Sequence, residues 1–341
     1  MKALVTGATG LLGSHVAPRL LQLGWRVRAL VRRPPQAAWL AAQGVELVRG
    51  DVTDGPALVR AARGTELVVH AAAAIGAGGD GSLFEEVNVG GTSKAIQAAA
   101  AAGARLVLVS STAVFARDRY RDEPTDEEAP LPELPRDDAY GRSKQRAEAR
   151  ALDAHRGGRV WAAVVRPPMM YGCRDRQLVP RIAPILSRGL FPLVAGGRAR
   201  LNLVHADAVA LGVIAAGTSD RAGGRIFHLT DDFPLPVRDL VRWAGEGLDR
   251  RILTPSIPLT AAQAGFGLLQ ATLTLAGRGD LARHAPGMLA TLSRDNPFSS
   301  RRAREELGWL PEIRPEDGVP AAFRWWLEST QAVRQAAGGG S

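Results

Sequence analysis

Residues 2–13, Lys-Ala-Leu-Val-Thr-Gly-Ala-Thr-Gly-Leu-Leu-Gly, put a short apolar strand directly before three glycines, Gly7, Gly10 and Gly13. Leu4 and Val5 form the buried strand, and the pattern predicts an amphipathic helix over 11–23 and a second strand over Arg26–Val31. A glycine-rich passage from strand to helix lets backbone approach a phosphate that a β-carbon would hold off. The helix start aims unpaired N–H groups and the positive end of its dipole at the same point. The G-x-x-G-x-x-G spacing is one residue longer in its first gap than the commoner G-x-G-x-x-G. With 38 glycines in 341 residues, that spacing alone means little. The strand before it and the helix and strand after it carry the inference of a dinucleotide site, contacted by Gly7, Thr9, Gly10, Leu11, Leu12 and Gly13.

The same rhythm continues. Helices are predicted at 36–43, 55–62 and 83–102, and strands at 45–48, 67–70 and 106–109. Continuous Val, Leu and Ala strands alternating with helices imply a parallel sheet covered on both faces, a doubly wound α/β domain with ligands beyond the C-terminal strand ends. An acidic, Pro-rich loop, Asp118 through Asp138, interrupts it before a helix at 140–155 and a strand at 160–165. Arg166-Pro167-Pro168 then ends that strand. Beyond it the pattern predicts helices at 178–188, 206–216 and 237–248 and strands at 201–204 and 226–229. The expected organisation is a nucleotide-binding domain over 1–172, with 201–230 returning to its sheet. A smaller, mostly helical cap over 173–200 and 231–335 should define the substrate, and 336–341 should be a flexible tail.

Residues 252–277 carry no charge, yet prolines, glutamines and threonines interrupt them too often for a membrane span. They read as a buried or substrate-lining cap helix, with peripheral membrane contact through 257–277 as the alternative. The formal net charge is +9, and of 43 basic residues only Lys2, Lys94 and Lys144 are lysines. The arginines are dispersed along the chain, which argues against a nucleic-acid-binding arm. The single cysteine, Cys173, excludes an internal disulfide and a multi-cysteine zinc site. A strand beginning at the second residue leaves no room for a signal peptide, so a cytoplasmic protein is expected.

Tyr140-Gly141-Arg142-Ser143-Lys144 sets a phenol and an ammonium one helical turn apart on one face. A neighbouring cation stabilises the phenolate, which brings the phenol toward the pH where it exchanges a proton with an alcohol. Random placement of three tyrosines and three lysines gives about 0.03 such pairs, so coincidence does not explain this one. The strand before residue 110 ends in Ser110-Ser111-Thr112, hydroxyls placed to hold and polarise a carbonyl oxygen.

These features resemble the extended branch of the short-chain dehydrogenase/reductase superfamily, also called the NAD-dependent epimerase/dehydratase superfamily, which is built on a Rossmann fold. The resemblance implies a Ser111–Tyr140–Lys144 catalytic set, with Thr112 as a substitute for Ser111. It also matches Asp51 and Val52 in an adenine-contacting turn, Ala71, Ala72 and Ala73 after a strand, and Asn88 in an Asn-Val-x-Gly-Thr helix. Asn88 is expected to support the cofactor or a proton relay. Ser110, Pro167 and Pro168 fall beside the nicotinamide, and 298–309 resembles the branch's C-terminal helix. Dimers are common in the family, so a homodimer is a possible assembly.

NAD sites usually carry an acid after the second strand, where it would repel a 2′-phosphate; this chain has Arg32 and Arg33 there, and guanidinium groups favour NADP(H). The segments 166–172, 175–181 and 202–207 look most like the 3β-hydroxysteroid dehydrogenase, dihydroflavonol reductase and 2-alkyl-3-oxoalkanoate reductase group. His205 and Asp207 read as structural residues. The implied function is an NADP(H)-dependent oxidoreductase that interconverts a ketone and a secondary alcohol on a bulky apolar substrate. The alternatives are a nucleotide-sugar epimerase or dehydratase, and a non-catalytic NADP-sensing protein.

Overall fold

A computed structural model describes residues 1–76, 81–115, 123–231, 233, 235–278 and 285–338. Seven strands form one parallel sheet: β1 (Lys2–Thr6), β2 (Arg26–Val31), β3 (Glu46–Arg49), β4 (Leu67–His70), β5 (Arg105–Val109), β6 (Ala162–Arg166) and β10 (Ile226–His228). Their order is β10-β6-β5-β4-β1-β2-β3. The chain winds outward from β1 to β3, then crosses back to β4 on the other side. The C-terminal ends of β1 and β4 are therefore the switch point where a doubly wound sheet opens a crevice.

Alternate residues of each strand feed opposite faces. Val5, Val69, Val107 and Val165 pack under α1 (Gly13–Gln22) and α8 (Ala206–Thr218). Leu4, Val68, Leu106 and Val164 pack under α3 (Gly55–Ala62), α5 (Gly91–Ala102) and α6 (Ala139–Arg156). Burial on both faces is why these strands are apolar throughout rather than alternating.

Five expectations change, the last of them in the cap. The helix predicted over 83–102 is a short turn α4 (Ser82–Phe84), a π-helical stretch over Glu85–Gly90, and then α5. The wide turn carries Asn88, whose side chain is drawn out of the regular helical path by bonds described below. The helix predicted at 36–43 is a 3-10 turn, Pro34–Ala37, followed by α2 (Ala38–Ala41), because the two prolines tighten its start. Of the portion expected to return to the main sheet, β10 does so. β9 (Leu203–His205) instead pairs with β7 (Met169–Tyr171), the strand that follows the Pro-Pro break. The last helix continues through Gly338, so 336–338 are helical, while 339–341 lie outside the described residues.

The cap holds its own core. Val179, Ala183 and Leu186 on α7 (Val179–Leu186) meet Val241 and Ala244 on α9 (Val237–Gly247), and Phe323 from a C-terminal helix closes it. A two-stranded piece, β8 (Leu193–Val194) with β11 (Ser256–Ile257), leads into α10 (Leu259–Leu275). The expectation that α10 is buried is overturned: of its 17 residues only Ala262 is buried. It packs on α11 (Ala285–Ser293) as a helical hairpin. α12 (Arg301–Leu307) and α13 (Pro315–Gly338) complete the chain. No described helix is long and apolar enough to cross a membrane.

Candidate active site

The glycine turn lies at the switch point. Gly7 has φ +69°, and a β-carbon there would stand 2.7 Å from the Ala72 nitrogen. One on Gly13 would stand 2.3 Å from the Gly7 oxygen. Both are glycine because protein backbone crosses them. Gly10 is exposed, and a β-carbon on it would meet only the Gly7 oxygen, at 3.2 Å. The space beside Gly10 is open to a ligand, and among the described residues no backbone carbonyl takes the N–H of Leu11, Leu12 or Gly13. An open glycine beside unpaired N–H groups at a helix start fits a pyrophosphate. Thr9 and Leu11 are half-buried at the same mouth, and Leu12 is buried and already helical.

Ala71 and Ala72 cross the other side of Gly7, and Ala73 follows them, half-buried. The Ala72 N–H donates to Thr6 Oγ1 at 3.3 Å. Asn88 Oδ1 accepts the Ala74 N–H at 2.7 Å, and its Nδ2 donates to Ser143 Oγ at 2.9 Å and to the Ala74 oxygen at 3.2 Å. Asn88 thus ties the 71–74 segment to α6 through protein groups. On the adenine side, Asp51 Oδ1 accepts from Thr53 N–H and hydroxyl, while Oδ2 lies 3.9 Å from Arg32 Nε. Val52 is buried beneath Gly91. Arg32, Arg33, Gln36 and Arg49 line a surface cavity of about 380 Å³. Arg49 carried no sequence signal, because it ends a strand in a chain already rich in arginine.

Ser110, Ser111 and Thr112 follow β5. Ser110 Oγ is buried and finds no hydrogen-bond partner among the described residues. Ser111 Oγ accepts the Ala113 N–H at 3.1 Å, capping a 3-10 turn and leaving its hydroxyl proton to be donated elsewhere. The Thr112 N–H donates to the Pro167 oxygen at 3.0 Å, which ties this turn to the Pro167-Pro168 segment. α6 presses directly on the turn: a β-carbon on Gly141 would sit 2.6 Å from the Ala113 oxygen. Tyr140 therefore enters from the helix start beside the Ser111 turn, its ring edge-on to Phe84 with centroids 6.2 Å apart.

Lys144 lies on the same face of α6, with Nζ 5.9 Å from the Tyr140 ring centroid. Its ammonium donates to the Val109 oxygen at 2.8 Å, at the end of β5. Burial brings its pKa down to about 8, against the opposing pull of Glu148. One turn on, Glu148 takes a bidentate pair from Arg166, with bonds of 2.9 and 2.7 Å between side chains 3% and 2% exposed. Arg166 stacks over Phe115 at 5.3 Å. Sequence reasoning missed His70 as well. Its Nδ1 bonds Thr6 Oγ1 at 2.9 Å, its Nε2 finds no partner among the described residues, and burial holds its pKa down at about 3, a neutral ring.

His205 and Asp207, read in the sequence as structural, are engaged in contacts within the fold. Asp207 takes Arg19 through both carboxylate oxygens and lies 3.6 Å from His15, joining α1 to α8. His205 Nδ1 accepts the Asp207 N–H, and its ring meets Tyr171 edge-on.

The sequence model of the NAD dependent epimerase/dehydratase family matches residues 3–229. A ketoreductase of Stigmatella aurantiaca, acting on 4-hydroxy-2-methyl-3-oxo-4-farnesyl-3,4-dihydroquinoline-1-oxide, is 30% identical over 94% of this chain and 95% of its own. A 2-alkyl-3-oxoalkanoate reductase of Stenotrophomonas maltophilia is 30% identical over 94% of this chain and 97% of its own. Among solved structures, UDP-glucuronic acid 4-epimerase from Bacillus cereus in complex with NAD shares the fold, with a TM-score of 0.74 and 17% identity over 97% of this chain and 99% of that one. A nicotinamide dinucleotide is the cofactor that the glycine turn and its surroundings fit. From its parallel sheet, its switch-point glycines and this match over two thirds of its length, the chain belongs to the NAD dependent epimerase/dehydratase family, within the extended short-chain dehydrogenases/reductases.

Proposed function

We propose that the protein is an NADP(H)-dependent oxidoreductase that interconverts a ketone and a secondary alcohol on a bulky, apolar substrate. The observation that carries this reading is the placement of Tyr140 and Lys144 on one face of α6, with Lys144 anchored at the end of β5 and the Ser111 turn against the helix start. When bound, the nicotinamide supplies or accepts hydride. In the reductive direction the Ser111 hydroxyl donates to the substrate carbonyl oxygen and fixes it. Tyr140 gives that oxygen its proton, and the nearby Lys144 charge stabilises the phenolate left behind. The buried Ser110 hydroxyl and the 71–74 segment bound the crevice where the nicotinamide end would lie. Arg32, Arg33 and Arg49 around one cavity suit a 2′-phosphate, and all three lie at the sheet edge where the adenine ribose of such folds sits. An apolar substrate accords with the uncharged cap stretch and with the relatives' farnesyl and alkyl substrates.

The test is cofactor oxidation against a panel of steroid ketones, 2-alkyl-3-oxo acids and flavanones, with NADPH and NADH in parallel. Turnover should prefer NADPH, and Tyr140→Phe should lower kcat by about 10²–10⁴-fold with cofactor binding retained. Arg32→Ala should raise the NADPH KM by about tenfold and leave that for NADH unchanged. Full activity of Tyr140→Phe would refute the mechanism, and preference for NADH would refute the cofactor assignment.

A further inference from the structure

The cap projects an apolar element that is largely uncovered among the described residues. Leu268 is 72% exposed, Leu275 89% and, on the returning helix, Met288 55%. Phe266 and Leu273 are half-buried, whereas Ala261, Ala264, Leu268, Ala271 and Leu275 fall on the opposite face of α10 at helical spacing and reach water. Gly265, Gly267 and Gly287 have no atom within 4 Å of where a β-carbon would be. Exposed leucines over a helix about 25 Å long are a costly surface for a chain with an otherwise ordinary core.

Several hydroxyls on this hairpin are bonded to its own backbone, while Gln263 and Gln270 reach water to one side of the leucine face. Thr272 and Thr274 hydroxyls donate to the Leu268 and Gln270 oxygens, and Thr291 and Ser293 donate to the Gly287 and Leu289 oxygens. Hydroxyls already bonded to their own helix cost little to move out of water. Charge is absent from 252–277 and from α11, and it returns at the edges as exposed Arg250, Arg251, Arg278 and Arg294, against exposed Asp249. Of the other acids near in sequence, Asp280 stands between Arg278 and Arg283, and Asp295 is held by Arg200.

We propose that the α10–α11 hairpin lies in the interface of an anionic lipid membrane, its leucine face among the acyl chains and its flanking arginines on the lipid phosphates. Charge selects lipid over a second copy of the chain. Arg278 follows α10, Arg294 follows α11, and Arg250 and Arg251 precede the uncharged stretch in sequence, so a second copy meets the same excess of positive charge, whereas an anionic surface accepts it. The connecting residues 278–284 include Arg278, Asp280 and Arg283 in sequence, which favours a hairpin lying in the surface plane over one inserted tip-first. The hairpin is also tied to the active-site wall. Five residues beyond α11, Phe298 packs on Phe115, four residues from Ser111, with ring centroids 5.5 Å apart.

The test is co-sedimentation of the full chain with phosphatidylcholine vesicles, with and without phosphatidylglycerol, at low and high salt, alongside gel filtration without lipid. Binding should require phosphatidylglycerol, weaken with salt, and fall about tenfold or more in Leu268→Asp/Leu275→Asp. Arg250→Glu/Arg251→Glu, on an exposed surface, should weaken it without disturbing the fold. Absence of vesicle binding, or binding equal in the leucine variant, overturns the proposal. So does a lipid-independent dimer that the leucine variant dissociates, which would make this face an interface between copies. Sedimentation needs no turnover, so its outcome is independent of the proposed reaction.

Discussion

Lys144 provides a measurable link between the active site and stability. The residue is 4% exposed, and burial lowers its pKa from 10.5 to about 8. Below about pH 8 both folded and unfolded chains carry the charge, and the folded state bears the cost of keeping it out of water. Between about 8 and 10.5 the folded chain has released the proton while the unfolded chain still holds it, so stability rises with pH through that window. At 1.36 kcal/mol per unit, the full contribution is about 3 kcal/mol. Other groups titrate in the same range, so the measurement is a difference: urea unfolding of wild type and Lys144→Met at several pH values across the window. The variant, apolar and of similar length, should be the more stable near neutral pH, and its advantage should shrink by about 3 kcal/mol as pH approaches 10.5. A difference that stays flat, or that grows with pH, would mean that the ammonium is solvated or held charged by Glu148, and the buried contact with Val109 would be wrong.

Glu148→Gln breaks a buried bidentate pair and leaves the Arg166 guanidinium uncompensated, so it should cost about 3–5 kcal/mol in urea unfolding. It should also move the Lys144 window to lower pH, since Glu148 holds that pKa up; a loss below about 1 kcal/mol would show that the pair is not closed. Gly141→Ala places a β-carbon 2.6 Å from the Ala113 oxygen and 2.7 Å from Leu134 Cδ1, and should cost about 1–3 kcal/mol while lowering kcat more than it raises KM. Gly267→Ala, with open space around it, should be neutral or stabilising by up to about 1 kcal/mol. Equal effects of the two alanines on thermal unfolding would refute the close approach of α6 to the Ser111 turn.

The parallel sheet was legible because its central strands are short runs of Val, Leu and Ala between turn residues, and burial on two faces leaves that signature in local sequence. Tyr140 and Lys144 were legible for a similar reason: a helix fixes the spacing of residues four apart. Positions set by distant contacts were not. Asn88 widens its helix into a π turn because Ala74 and Ser143 bond it, and nothing in residues 83–102 announces those partners. β9 pairs with β7 because the chain turns after Pro168, although its three apolar-rich residues would suit the main sheet equally well. The exposure of α10 was hidden because an uncharged helix reads alike whether protein or something else covers it. Gly141 was unremarkable among 38 glycines until Ala113 was placed against it.

α6 shows why an active site of this type keeps buried charge despite its cost. The residues that pack this helix on the sheet, Ala147, Ala151 and Ala154, are small and nearly interchangeable. A surface of methyl groups supplies burial energy but little resistance to a slide along the helix axis. Lys144 and Glu148 interrupt it with directional bonds to two different strand ends, Val109 on β5 and Arg166 on β6. A shift of one residue, about 1.5 Å along the axis and 100° around it, would break both at once and strand three buried charges, Lys144, Glu148 and Arg166. Register is thereby fixed to the tolerance that proton transfer from Tyr140 demands, and Tyr140 lies on the same face as those two anchors, one turn before the first. Apolar packing holds α6 on the sheet; the buried charges set where along the sheet its phenol stands.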